Sequence, residues 1–212
     1  MKFTSLYLFL LYLTLTASVP LLGKPQAVVT DSVYEAPLID HTGTAATLSQ
    51  YTSSQWLLLV YLGTDCPISQ KYTTTIQQIA DGYSAQGVVV AGIFPQPGTT
   101  TQQMVQFTGH YQLKIPCFTD PTQQLTNTLK ATITPEAVLL SPDGQVVYQG
   151  AIDNWYYALG KYRPKATEHY LTTALNQAIA GQAVTQAHIP AVGCFINQAR
   201  QHNHTGHQHH HK

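Results

Sequence analysis

Residues 56–69 constrain this chain more than any other stretch. Trp56-Leu57-Leu58-Leu59-Val60-Tyr61-Leu62 is an unbroken apolar run that stops at Gly63-Thr64-Asp65. Cys66-Pro67-Ile68-Ser69 follows, and then an amphipathic segment begins. An apolar run of this length, closed by turn formers, reads as a buried strand. Pro67 suits the first turn of a helix, where no backbone N–H is needed, and Thr64 or Asp65 can cap that helix. Ile68, Tyr72, Ile76 and Ile79 recur at near-helical spacing, carrying the helix to about Ser84. Cys66 is thereby placed where a strand hands over to a helix N-terminus. The unpaired N–H groups and the positive end of the dipole favour a thiolate there, the form that exchanges disulfides and binds soft metals.

The rest of the chain alternates in the same way. Short strands are expected around Ala36–Asp40 and Ala46–Leu48, and a second long apolar strand at Val88–Phe94. Helices are expected at Thr100–Tyr111, at Pro121–Lys130 and near Ala166–Ala180, the last ended by Gly181. Val138–Leu140 and Gln145–Gln149 form a hairpin over Pro142-Asp143-Gly144. This alternation predicts an α/β fold, a sheet with helices on both faces. Tyr156, Tyr157, Tyr162 and Tyr170 form an aromatic-rich region that reads as packing for the last helix.

A strand leading into Cys66-Pro67, with Ile133-Thr134-Pro135 opening a later apolar strand, resembles the thioredoxin superfamily. Ala36-Pro37-Leu38-Ile39-Asp40-His41-Thr42-Gly43, Ile115-Pro116-Cys117-Phe118-Thr119-Asp120-Pro121 and Pro142-Asp143-Gly144 look like its redoxin branch, the alkyl hydroperoxide reductase/thiol-specific antioxidant proteins. The closing Gly193-Cys194-Phe195-Ile196 is similar to an exported single-domain subgroup with Cys-Pro-hydrophobic-Ser and a terminal Gly-Cys-x-Ile. The resemblance implies a thioredoxin-like fold over residues 25–197, with a central mixed β-sheet flanked by helices. It implies a cis Thr134-Pro135 bond beside the reactive cysteine. Pro67, Thr134 and Pro135 would bind substrate, Thr134 through backbone groups that pair with an extended strand.

It also implies thiol–disulfide exchange with Cys66 as nucleophile. Ser69 stands where the second cysteine of Cys-x-x-Cys would be, so no neighbour in the motif can resolve a mixed disulfide. Cys194 is the natural candidate, either as resolving thiol or as permanent structural partner. Cys117 reads as a small buried hydrophobe, with a role as partner to either cysteine as the alternative. Peroxiredoxins resemble the chain in outline, but carry Thr three residues before the reactive cysteine and an arginine that holds the thiolate. Here Gly63 takes the first position, and the two arginines, Arg163 and Arg200, come late. Related proteins often carry Arg at the place of Ala151 and Asp at that of Asn154, which removes the pattern for a charged site at Asp153. The partners implied are protein or small-molecule thiols and disulfides and a reductant of unknown identity.

Composition bounds the setting. Basic and acidic residues balance at ten each, and only 9 % of the chain is charged, so no basic surface points to nucleic acid. Lys2 followed by the Leu-, Tyr- and Phe-rich stretch to Leu15, with Ala17 and Ser18 after it, reads as a secretory signal peptide over residues 1–24. An uncleaved N-terminal anchor is the alternative, and only then is a membrane a partner. Either way the domain is expected outside the cytoplasm, periplasmic or extracellular, where disulfides persist. Residues 198–212 form a polar tail, expected to be disordered, carrying His202, His204, His207, His209, His210 and His211. These imidazoles can take copper, nickel or zinc, although the exchange chemistry requires no cofactor. A metal-handling or non-enzymatic protein of the same fold is therefore the competing class. Redoxin-like copper chaperones use Cys-x-x-x-Cys and a distal His, and Ser69 and Gln70 stand where that second cysteine would fall.

Overall fold

The computed structural model describes residues 33–52 and 56–198. The expected signal peptide and the six tail histidines lie outside these residues. The sheet is organised around β3 (Trp56–Tyr61), the long apolar run. β3 pairs parallel with β4 (Val88–Phe94) and antiparallel with β7 (Glu136–Leu140). With β1 (Leu38–Asp40), β2 (Ala45–Ala46), β5 (Cys117–Thr119), β8 (Val146–Gly150) and β11 (His188–Ile189), the order across the sheet is β11-β8-β7-β3-β4-β5-β1-β2.

The period-two alternation of β3 sorts its side chains between two apolar layers. Leu58, Val60 and Leu62 enter one layer, which receives α1 (Pro67–Tyr83), α2 (Thr101–His110) and α4 (Tyr170–Ile179). Leu57, Leu59 and Tyr61 enter the other, which receives α3 (Gln124–Thr128) and Val33, Tyr34 and Leu48. Burial on both faces explains why β3 is apolar throughout. α1 buries Ile68, Tyr72, Ile76 and Ile79, the stripe read from its spacing. α2 starts at a capping box, with Thr100 and Gln103 bonding each other's backbone N–H at 2.8 and 3.2 Å.

Three local expectations are corrected. The cap of α1 is Cys66 itself, not Thr64 or Asp65. The last helix starts at Tyr170 and not near Ala166, because the Thr167 and Glu168 N–H groups donate to Asn154 Oδ1 at 2.8 and 3.2 Å. That bonding draws the preceding turn away from a helical path. The aromatic region is a hairpin of β9 (Tyr156–Ala158) and β10 (Lys161–Tyr162) with Tyr157 and Tyr162 exposed. Trp155 and Tyr156 pack on Tyr72 of α1, with ring centroids at 5.5 and 6.0 Å.

After α4 the chain ends its helix at Gly181, as expected, and runs as β11 parallel to β8 along the sheet edge. This return path delivers β12 (Cys194–Phe195) to β6 (Ile133–Thr134), where the two form a separate antiparallel pair.

Candidate active site around Cys66 and Cys194

The site begins where β3 runs out. The Leu62 N–H still bonds Ile93 at 2.8 Å, after which Gly63 to Cys66 close a turn with the Cys66 N–H on the Gly63 carbonyl at 3.2 Å. The buried Gly63 N–H is taken by the Ser69 hydroxyl at 3.2 Å. Ser69 therefore fixes the loop that presents Cys66 and also faces the sulfur, and its own N–H donates to Cys66 Sγ at 3.5 Å. A cysteine sulfur thus occupies the acceptor position of a helix N-cap, where the helix leaves donors unpaired.

The opposite wall is the Thr134-Pro135 segment, whose peptide bond is cis as expected. The Cys66 thiol donates to the Thr134 carbonyl at 3.0 Å. Glu136 holds this segment in shape: its carboxylate accepts from the Thr132 N–H at 3.0 Å, the Ile133 N–H at 3.4 Å and Gln149 Nε2 at 3.0 Å.

β12 completes the site. Cys194 stands opposite Thr134 and Phe195 opposite Ile133, and the Ile196 N–H continues the ladder to the Thr132 carbonyl at 2.9 Å. Gly193 is needed for this approach, since a Cβ there would lie 2.1 Å from the Thr134 carbonyl oxygen. Gln96 grips the strand from outside, donating to the Phe195 carbonyl at 2.8 Å and accepting from the Asn197 N–H at 3.2 Å. Gln123 Nε2 donates to the Asn197 carbonyl at 2.6 Å and to the Pro95 carbonyl at 2.9 Å, and Ile196 is buried in the second layer.

All three cysteines are unbridged, and their environments separate them chemically. Burial pushes the Cys66 thiol up. Hydrogen bonds from the Cys194 thiol, from the Ser69 N–H and hydroxyl and from the Cys194 backbone outweigh it, so the net shift is downward. The Thr134 carbonyl opposes them by accepting from the protonated thiol. Cys194 is pushed up to about 12, by burial first and then by the hydrogen bond and charge it shares with Cys66. Cys117 is also pushed up to about 12 by burial, lies packed against Gly92 in the core and joins neither partner, which suits the small-hydrophobe expectation.

Among the other expected residues, Pro67 opens α1 at its first turn. Arg163 is remote in function from the thiol: it donates to the Asn154 carbonyl at 2.6 Å and stacks over Tyr157. Asp153 is buried and accepts from the Tyr72 hydroxyl and the Trp155 N–H, a packing role. Among the described residues no group of three or more His, Cys, Asp or Glu side chains could hold a metal ion. Glu136, Gln96 and Gln123 were not expected. Glu136 had a legible signal, a lone acid heading an apolar strand, which when buried must find donors. Gln96 and Gln123 had none in a Gln-rich sequence.

The AhpC/TSA family pattern matches residues 29–149. No curated protein matches the chain. Among solved structures, an uncharacterized conserved protein from Geobacillus kaustophilus is 20 % identical with a TM-score of 0.67, covering 78 % of this chain and 90 % of its own. A hypothetical protein from Sinorhizobium meliloti 1021 is 23 % identical with a TM-score of 0.65, covering 76 % of this chain and 88 % of its own. A secreted Mycobacterium tuberculosis disulfide oxidoreductase is 14 % identical with a TM-score of 0.51, covering 72 % of this chain and 99 % of its own.

Proposed function

The chain belongs to the AhpC/TSA family, and on that premise we propose that it is an exported thiol–disulfide oxidoreductase with Cys66 as nucleophile and Cys194 as resolving thiol. The observation that carries this reading is the placement of both cysteines on one cleft at the N-terminus of α1, with Cys194 paired opposite Thr134 and the Thr134 carbonyl accepting from the Cys66 thiol at 3.0 Å.

The Cys66 thiolate attacks one sulfur of a substrate disulfide. The substrate S–S bond breaks, one thiolate leaves and a mixed disulfide forms on Cys66. The negative charge on Cys66 is then gone. The part of the upward push on Cys194 that came from that charge and its hydrogen bond disappears with it, which eases deprotonation of the resolver. Cys194 gives its proton to solvent and attacks Cys66 Sγ. The second substrate thiolate leaves and a Cys66–Cys194 disulfide forms. The substrate is reduced by two electrons and the protein dithiol oxidised by two. An external dithiol reverses the protein step.

Peroxide reduction fits the site less well. Arg163 is committed to Asn154 and Tyr157, and Gly63 offers no side-chain hydroxyl at the position three residues before Cys66. The reduced protein is tested with a disulfide substrate and mass spectrometry. Cys194→Ser should accumulate the mixed disulfide on Cys66, and Cys66→Ser should form no adduct. An adduct on Cys194 or Cys117 in the Cys66→Ser protein, at the wild-type rate, would refute the assignment of the nucleophile.

A further inference from the structure

The edge of β6 beside Cys66 is the place where an extended peptide could add as a strand, since an unpaired edge offers backbone donors and acceptors in register. That edge is filled by the chain's own β12. Resting on the exchange chemistry proposed above, we infer that the substrate of Cys66 is a small neutral or cationic disulfide entering a side cleft, and not an extended polypeptide.

Three observations carry this. First, the occupant is secured along its length. It holds the Cys194–Thr134 and Phe195–Ile133 pairs, the Ile196 bond to Thr132, both ends of Gln96 and the burial of Ile196. A peptide pairing with Thr134 must first displace these contacts, and it would carry away Cys194, the thiol needed to finish the reaction.

Second, the opening left beside both sulfurs is a cleft of about 390 Å³, running from Cys66 and Cys194 to the loop around Pro97. This volume lies in the range of small-molecule sites. It lets a disulfide reach Cys66 while β12 stays in place, so the mixed disulfide forms next to its resolver.

Third, among the described residues the cleft wall carries one charged side chain, Asp65, which is exposed at its rim. Gln96, Thr99 and Gln103 supply neutral polar groups. A carboxylate at the rim disfavours anionic thiols and favours ammonium-bearing ones, modestly because it is solvated.

The reduced full chain is tested in single turnover, where the protein dithiol supplies the two electrons and one disulfide becomes two thiols. The probes are hydroxyethyl disulfide, cystamine, dithiodipropionate and the disulfide dimer of a blocked neutral pentapeptide with central cysteine. Each rate of Cys66 consumption is read by acid quench and mass spectrometry, and divided by that probe's rate with free 2-mercaptoethanol. Hydroxyethyl disulfide should exceed the peptide by roughly thirtyfold or more, the equivalent of giving up about two strand hydrogen bonds. Cystamine should exceed dithiodipropionate by about threefold or more, and Asp65→Asn should narrow that ratio. Gly193→Ala, which forces β12 off the Thr134 carbonyl, should raise the peptide rate relative to hydroxyethyl disulfide. Equal normalised rates for peptide and hydroxyethyl disulfide, or no change of their ratio in Gly193→Ala, would overturn the inference and leave the oxidoreductase reading standing. Preference for dithiodipropionate would overturn the charge selectivity. Failure of every probe to consume Cys66 would overturn the oxidoreductase reading and this inference with it.

Discussion

Cys194 stands directly opposite Thr134 across an antiparallel pair, and the Thr134 carbonyl accepts the Cys66 thiol at 3.0 Å. One backbone residue thus ties the nucleophile to its partner. The arrangement makes Thr134 the hinge of the site: its carbonyl favours the thiol, while its strand pairing brings in the Cys194 hydrogen bond that favours the thiolate. Redox state and the position of β12 are therefore expected to be coupled.

The lowered Cys66 and the raised Cys117 should separate in alkylation. Both are buried and each borders a cleft, so the thiolate population and not access separates them. After reduction, brief iodoacetamide treatment at pH 7 should label Cys66 at least about tenfold faster, since the thiolate is the reactive form. Labelling of Cys66 should rise with pH below the ordinary thiol range, while Cys117, pushed up to about 12, should stay unlabelled until the protein unfolds. Peptide mapping by mass spectrometry reads both, and equal rates would remove the case for an activated Cys66.

Ser69 has two jobs, which Ser69→Ala should reveal together. The Gly63 N–H loses the hydroxyl it donates to, leaving a buried donor unpaired at a cost of about 1–3 kcal/mol. Cys66 also loses the Ser69 hydroxyl as a donor, so its pKa should rise. Urea unfolding measures the first effect, and the ultraviolet absorbance of the thiolate against pH measures the second. A destabilised protein with an unchanged Cys66 titration would mean that the hydroxyl serves the loop alone.

Much of this was legible because it is local. The strand, the turn and the helix stripe from Trp56 to Ile79 are written in consecutive residues, and the Cys66 position follows from them. The Cys194–Thr134 register was not. It joins two strands of two residues each, and its pairing depends on the path of the chain around α4 and along β8. No local pattern encodes that path. The start of α4 was missed for a similar reason: Asn154, well upstream, takes the N–H groups of Thr167 and Glu168. Tertiary bonding there overrides a helical pattern.

Gly92 and Cys117 should behave as a coupled pair. A Cβ at Gly92 would lie 2.8 Å from Cys117 Sγ, with Leu62 and Ile115 closing the other sides. Gly92→Ala should destabilise by about 1–3 kcal/mol through overpacking. Cys117→Ala should remove the clash and recover part of that loss, giving a non-additive double mutant. The same substitution has a pH signature. A thiol held at about 12 in the folded state and near 9 when unfolded favours folding below the unfolded value. That contribution falls as pH rises from 9 towards 12, because the unfolded chain releases its proton first. Cys117→Ala should make the alkaline loss shallower by about 1.4 kcal/mol per pH unit in that window. Additive mutants would mean that the core relaxes around the new methyl.

The last prediction concerns the six histidines between His202 and His211. We propose that they bind a divalent metal through neutral imidazoles, with no fold required beforehand. Spacings this irregular impose little geometry, so affinity should follow the intrinsic order, with copper above nickel and zinc. Binding should fade below about pH 6, where the imidazoles protonate and compete with the metal. Deleting residues 199–212 should abolish it and leave the rate of Cys66 exchange unchanged, since Ile196 and Asn197, which anchor β12, remain. Isothermal titration with copper, nickel and zinc reads the first effect and single-turnover exchange the second. Copper(I) is the informative exception, because two adjacent thiolates suit it better than imidazole does. If the truncated protein still binds copper(I), and loses it only when Cys66 and Cys194 are both replaced, the sulfur pair is a metal site. Metal handling would then displace disulfide exchange as the reading of this fold.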